Sequence, residues 1–199
     1  MKHNIDKAQV IRFFDEFAPS WDKNSVVQPD KINQILDAAG VKEGDRILDI
    51  ACGTGVMFAF YLNRNVKGIT GVDISPEMAA LAQKKYADNH NVEVLCADAE
   101  EYSFANHYDR CVVFNAFPHF GNQCALLENL YKALRTGGTL TVAHDNGRKG
   151  IDGCHKGAAS PISNGLISED ELEKILLSCG FSNIFKLATD DIYIVSGTK

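Results

Sequence analysis

The chain predicts a doubly wound α/β fold: seven strands in one mostly parallel sheet with helices on both faces. Three observations carry this. Strand-like and helix-like segments alternate from residue 46 to residue 179. The first strand, Arg46-Ile-Leu-Asp-Ile50, runs through a Gly-rich turn straight into a helix over Val56–Leu62. Two short apolar runs, Ile184–Leu187 and Ile192–Val195, follow the last helix and read as antiparallel partners. Helices alternating with buried strands require parallel pairing, because a crossover returns the chain to the same edge of the sheet.

Length and composition fit a single domain over residues 1–199. A hydrophobic content of 45% with 23% charged residues is ordinary for a water-soluble globule. The net charge is −6, and no run of Lys or Arg exceeds two, so a nucleic-acid backbone is a poor partner. The six cysteines form no Cys-x-x-Cys pair; Cys52, Cys96, Cys111 and Cys179 sit in or beside predicted core elements, and they read as reduced, small apolar residues of a cytoplasmic protein. No apolar stretch is long enough to span a bilayer, and Met-Lys-His-Asn-Ile-Asp is not a leader peptide. A monomer or a homodimer is equally open.

In chain order, residues 5–17 place Val10, Phe13, Phe14 and Phe17 on one helical face, and Pro19 ends that helix. Residues 29–39 form a second helix with Ile32, Ile35 and Leu36 inward, and residues 1–40 make a helical N-terminal segment. The first strand ends in Ala51-Cys52-Gly53-Thr54-Gly55, where a backbone without Cβ atoms can approach a ligand closely. The second strand, residues 67–74, ends in Asp73. Ser75 then caps a helix that has Pro76 at its first position. An acidic strand end after a Gly loop is placed to accept both hydroxyls of a ribose. Residues 92–97 are the third strand, followed by Asp98-Ala99. Residues 110–116 are the fourth, with Asn115 near its end. A helix over 123–134 is closed by Thr-Gly-Gly, and Thr139–His144 is the fifth strand. Residues 145–166 have no helical or strand period and read as a loop on the substrate side. Ser168 and Glu171 then form a capping box for the last helix.

The Gly loop excludes two nucleotide fingerprints. A third Gly would stand at position 58, which is Phe58, and no Gly-Lys-Ser/Thr follows. The stretch instead resembles the first motif of class I S-adenosylmethionine-dependent methyltransferases, Asp/Glu-x-Gly-x-Gly-x-Gly. Asp49, Gly53 and Gly55 match, and Ala51 stands in place of the first Gly. Leu-Arg-Thr-Gly-Gly-Thr-Leu is similar to that family's late Leu-x-Pro-Gly-Gly motif, with Thr136 for Pro. The resemblance covers nearly the whole chain after residue 40. It implies a Rossmann-like sheet of order 3-2-1-4-5-7-6 and S-adenosyl-L-methionine as cofactor.

On that resemblance Asp49 receives the α-amino group through water or the loop backbone, and the loop residues Ala51, Cys52, Gly53 and Gly55 pass under the methionine. Asp73 takes the ribose, with Ile74 and Met78 beside it, and Asp98 with Ala99 reads the adenine. Asn115 borders the methyl group. Phe-x-x-x-Ala-x-x-Trp-Asp before the first motif resembles the family's N-terminal lid. Trp21 therefore either closes over the cofactor or packs on the sheet. The amino-methylating members that act on nucleic acid use Asp/Asn-Pro-Pro-aromatic, whereas this chain has Asn115-Ala116-Phe117-Pro118.

The implied reaction is transfer of a methyl group to a small molecule enclosed by residues 13–22, 115–120 and 144–160. His119 and His144 follow the fourth and fifth strands and are the candidate bases, because His titrates near neutrality. Phe17, Phe117, His119, His144 and His155 are the candidate substrate contacts. The histidines lack tight metal-ligand spacing, so no metal is expected. Arg148, Lys149 and Lys156 either favour an anionic substrate or solvate the loop. Two other readings stay open: an NAD-dependent oxidoreductase, and a non-catalytic S-adenosylmethionine-binding regulator.

Overall fold

The computed structural model describes residues 5–105, 107–154 and 160–199. The strands are β1 (Arg46–Ile50), β2 (Gly68–Asp73), β3 (Val92–Cys96), β4 (Tyr108–Phe114), β5 (Leu134–His144), β6 (Ser182–Ala188) and β7 (Tyr193–Thr198). They form one seven-stranded sheet of order β3-β2-β1-β4-β5-β7-β6. The pairs from β3 across to β5 are parallel. β7 runs antiparallel to both β5 and β6, so the sheet is mixed, with its reversal confined to the last two strands.

The helices are α1 (Lys7–Phe17), α2 (Trp21–Asn24), α3 (Pro29–Ala38), α4 (Phe58–Leu62), α5 (Pro76–Lys85), α6 (Gln123–Ala133), α7 (Arg148–Cys154) and α8 (Glu169–Ser178). Period-2 alternation along the central strands feeds two separate cores. Leu48, Cys111, Val113, Leu140 and Val142 pack with Leu126, Leu127 and Leu130 of α6 and with Leu172 and Leu176 of α8. Their neighbours Ile47, Val112 and Ala143 face the other way, onto Ile32, Ile35 and Leu36 of α3 and Phe58 and Tyr61 of α4. Each fully buried Leu or Ile contributes about 1.5–3 kcal/mol relative to exposure. A third, smaller cluster joins Ile5, Val10 and Ile162, with Phe13, Phe14 and Ile74 packed against it, so α1 lies over the end of β2.

Local signals behave as their chemistry requires. Ser75 caps α5 through Met78 N–H, and Ser168 with Glu171 forms the capping box of α8. Three expectations are corrected. β5 begins at Leu134, directly after α6, so Thr136-Gly137-Gly138 lies inside the strand and does not close the helix. Here the pairing with β4 jumps, from Tyr108 opposite Leu134 to Arg110 opposite Thr139. The bulge turns on Gly137, whose φ of 78° is left-handed. Residues 145–166 are not devoid of structure, because they hold α7 and a 3-10 turn at Ser160–Ile162. Gly150 and Gly153 within α7 blunt the apolar period that would reveal it. Cys96, expected beside the core, is exposed at the end of β3, while Cys52 and Cys111 are buried.

Candidate functional site

The carboxyl ends of β1, β2, β3, β4 and β5 open into one cavity of about 780 Å³, roofed by α1, α2 and the segment leading to α3. In a doubly wound sheet this is the edge where crossovers leave a crevice. Asp49, Ala51, Cys52, Gly53, Gly55, Asp73, Ile74, Met78, Asp98, Ala99, Asn115 and His119 all line it, and so do Phe17 and Trp21 of the roof. Topology brings these fourteen residues together from strand ends, the roof helices and the start of α5, far apart in the chain. Phe117 and His144 do not line it. Phe117 is fully buried in the core against α6, and His144 is buried in edge-to-face contact with Tyr193, ring centroids 6.1 Å apart. His144 shares the strand parity of Leu140 and Val142, which directs it to the α6/α8 face. His155 lies outside the described residues.

The loop after β1 is built around left-handed backbone. Ala51 has φ 54°, and Gly53 has φ 55° with open space where a Cβ would stand. The ladder continues into the turn through Cys52 N–H donating to the Val72 carbonyl. Asp73 holds the turn closed: one carboxylate oxygen accepts from Gly53 N–H at 2.8 Å, the other from Ser75 N–H at 2.9 Å. Burial pushes the Asp73 carboxyl up to about 6, against the pull of those N–H groups. Asp49 is only 1% exposed, and neither carboxylate oxygen has a hydrogen bond among the described residues. Burial, then the charge of Asp73, pushes Asp49 well above the carboxylate range. An orphaned carboxyl on a cavity wall fits a cationic ligand group that would restore its charge. The Cys52 thiol is pushed up by burial and by both aspartates, so it is no thiolate nucleophile.

The roof is tied down by polar anchors that the sequence did not reveal. The Lys7 ammonium pairs with Asp98, with Glu100 at 2.9 Å and with Glu101 at 2.8 Å. Asp15 accepts from Ser75 Oγ and from Glu77 N–H at the start of α5. Asp22 pairs with Lys85 at 2.6 Å and accepts from Thr54 Oγ1 in the Gly loop. Each anchor joins residues far apart in sequence, which periodicity and spacing do not report. An aromatic wall completes the roof: Phe13 against Phe17 at 4.7 Å, Phe14 against Trp21 at 5.7 Å and against His119 at 5.3 Å. The His119 Nδ1 sits 2.8 Å from the Ile162 carbonyl, which only accepts, so the neutral ring carries its proton on Nδ1 and Nε2 is the basic nitrogen.

Asp145 was also missed, although its place just past β5 mirrors that of Asn115 past β4. The two lock together in the cavity wall: Asn115 Nδ2 donates to Asp145 Oδ1 at 2.9 Å, and Asp145 N–H donates to Asn115 Oδ1 at 3.1 Å. Asn115 is left-handed, φ 53°, a conformation its short amide tolerates.

Residues 47–138 match a methyltransferase domain model. The chain is 30% identical over 140 residues to malonyl-(acyl-carrier protein) O-methyltransferase from Priestia megaterium, covering 68% of this chain and 51% of that protein. It is 27% identical over 143 residues to demethylmenaquinone methyltransferase from Listeria welshimeri, covering 66% of this chain and 60% of that protein. The chain thus spans about half the length of the first of these relatives. Among solved structures, phosphoethanolamine N-methyltransferase 2 from Haemonchus contortus, in complex with phosphomonomethylethanolamine and S-adenosylhomocysteine, superposes with a TM-score of 0.79. That match has 19% identity and covers all of this chain and 60% of that one. With the Gly loop, the acidic strand ends and the sheet order all in place, the chain belongs to the class I S-adenosylmethionine-dependent methyltransferases, and S-adenosylmethionine is its cofactor.

Proposed function

We propose that the protein transfers the methyl group of S-adenosylmethionine to a small molecule enclosed between α1–α2 and the ends of β4 and β5. The observation that carries this is the cavity itself. Its volume of about 780 Å³ lies near the top of the range of roughly 300–1,000 Å³ for single-ligand sites, leaving room for a cofactor and a small acceptor. On this reading Asp49, through the loop backbone or directly, faces the cofactor's ammonium. Asp73 accepts from the ribose hydroxyls with the lone pairs its two backbone bonds leave over. Asp98 and Ala99 face the adenine, and Trp21 with Phe17 covers the cofactor from the α1–α2 lid.

When bound, the cofactor supplies a methyl group on a positively charged sulfur, open to in-line attack. The residues of the chain align the two reactants and exclude water, which can supply several kcal/mol of the barrier reduction. Where the acceptor atom starts protonated, His119 Nε2 is the base, held in that tautomer by the Ile162 carbonyl. His144 has no part in this proposal, because it is buried against Tyr193 and does not line the cavity.

Calorimetric titration with S-adenosylmethionine, S-adenosylhomocysteine and NAD tests the cofactor. Binding of the first two without NAD is expected; NAD binding alone would point to the oxidoreductase. Screening metabolites for S-adenosylhomocysteine release then tests the transfer. A protein that binds the cofactor but turns over with none of them would be the non-catalytic regulator.

A further inference from the structure

The charges around the cavity do not balance. Among the described residues six carboxylates line it: Asp22, Asp49, Asp73, Asp98, Glu100 and Asp145. The lining lysines are Lys7 and Lys85, and both are already committed, Lys7 to Asp98, Glu100 and Glu101 and Lys85 to Asp22. Among the described residues no Arg lines the cavity. On the methyl-transfer reading above, on which this inference rests, Asp49 and Asp73 serve the cofactor. Asp145 is then the carboxylate left for the acceptor.

Asp145 is held for such a role. Asn115 donates to Oδ1, and no described residue donates to Oδ2. Lys31 lies nearby but outside the lining. Its ammonium donates to the backbone carbonyls of Asp145 and Asp191, each at 2.8 Å. The remaining wall is apolar, from Phe13 and Phe14 at the back to Phe17, Val26 and Val27 at the mouth. Val26 is 80% exposed and Val27 45%, so the apolar surface continues out of the cavity. Large apolar side chains left exposed around one opening mark a path for an apolar ligand body.

We propose that the acceptor is an amphipathic molecule with an uncharged or cationic head, whose N–H or O–H is accepted by Asp145, and that anionic acceptors are rejected. The apolar body lies along the aromatic wall toward Val26 and Val27. An anionic head would meet Asp145 in a partly desolvated space where the described lining residues hold no uncommitted cation to pair with. Discrimination therefore comes from repulsion as well as from the hydrogen bond.

Three probes share one body and differ in the head: 4-phenylbutylamine, 4-phenylbutanol and 4-phenylbutyrate. Each is titrated into protein saturated with S-adenosylhomocysteine, read by calorimetry and by fluorescence of Trp21, the chain's single tryptophan. The amine and the alcohol should bind at least tenfold tighter than the acid. Asp145→Asn should weaken the amine about tenfold and bring the three within about threefold, with S-adenosylhomocysteine affinity within twofold of the parent protein. Asp145→Ala should do the same, which guards against a misfolded single variant. 4-Phenylbutyrate binding as tightly as the amine, an unchanged preference in both variants, or no binding of any probe to the loaded protein would overturn the proposal. Failure of S-adenosylhomocysteine itself to bind would instead overturn the methyl-transfer reading, and is seen before any probe is added.

Discussion

Ala51 sits where a left-handed backbone, φ 54°, meets a side chain with a Cβ, and this explains why the family's motif has Gly there. The left-handed conformation costs an L-residue about 1–2 kcal/mol, and Gly gives back about 0.5–1 kcal/mol through its looser unfolded state. Ala51→Gly should therefore stabilise the protein by about 0.5–1 kcal/mol in urea unfolding; a loss of stability would mean the Ala methyl packs productively. On the proposed reading, the aspartates beside it would make cofactor binding proton-linked. Asp73, pushed up to about 6, and Asp49, pushed higher than the carboxylate range, hold protons more tightly folded than unfolded. Their contribution to stability is thus present at low pH and is lost as pH rises through their folded values, from about 4 upward. Ribose hydroxyls and a cationic ammonium favour the ionised forms, so S-adenosylmethionine binding at pH 6 should release protons. Calorimetry at that pH in two buffers of different ionisation enthalpy should give different heats; equal heats would show that neither aspartate changes charge. His119→Ala should lower turnover about 100-fold while leaving S-adenosylhomocysteine affinity within about twofold, whereas His144 substitutions should lower stability and leave turnover nearly unchanged. The reverse pattern would move the base to β5.

At the scale of elements, α1 and α2 form a roof whose apolar contact with the rest is small. Ile5 and Val10 with Ile162 make up its buried core. Polar anchors carry much of the attachment, and all three land on cofactor-side elements: Lys7 on the turn after β3, Asp15 on the start of α5, Asp22 on the Gly loop. Burial opposes charge at both Lys7 and Asp22. Partner bonds win at each, raising the Lys7 ammonium above its usual range and holding the Asp22 carboxyl below its own. Partly exposed ion pairs are worth about 0–1 kcal/mol each, so the roof should open far more easily than the sheet. Hydrogen exchange over Lys7–Asn24 should slow by about tenfold with S-adenosylhomocysteine. Lys7→Ala should speed it about fivefold in the free protein, with the sheet amides unchanged. Equal exchange with and without ligand would make α1 a fixed packing element.

For the whole molecule, ligand binding and stability are one measurement. At 100 times its dissociation constant, S-adenosylhomocysteine should add about 2.7 kcal/mol, and NAD should add nothing. For a chain of 199 residues this is a rise in Tm of roughly 5–10 °C. A thermal shift with NAD but not with S-adenosylhomocysteine would contradict the family's cofactor.

The sheet and most of the cavity's strand-end wall were legible from the sequence because they depend on local chemistry. Consecutive apolar residues such as Ile47-Leu48, Val112-Val113 and Val142-Ala143 mark strands buried on both faces, and the two-residue period of a strand sends neighbours into opposite cores. Ser75-Pro76 and Ser168–Glu171 start helices through bonds three residues long. An acidic residue at a strand end is readable once the strand is, so Asp49, Asp73 and Asp98 fell into one crevice together. What depends on contacts across the chain was not legible. Lys7 meets Asp98 from 91 residues away, and no periodicity encodes that pairing. Asp145 becomes part of the wall only because β5 lies beside β4, where Asn115 can reach it. His144 and Asp145 are neighbours in sequence, yet the two-residue period of β5 buries the first against Tyr193 and puts the second in the cavity. Position along the chain put both at the strand end, and only the register of the folded sheet decided which of them faces a ligand.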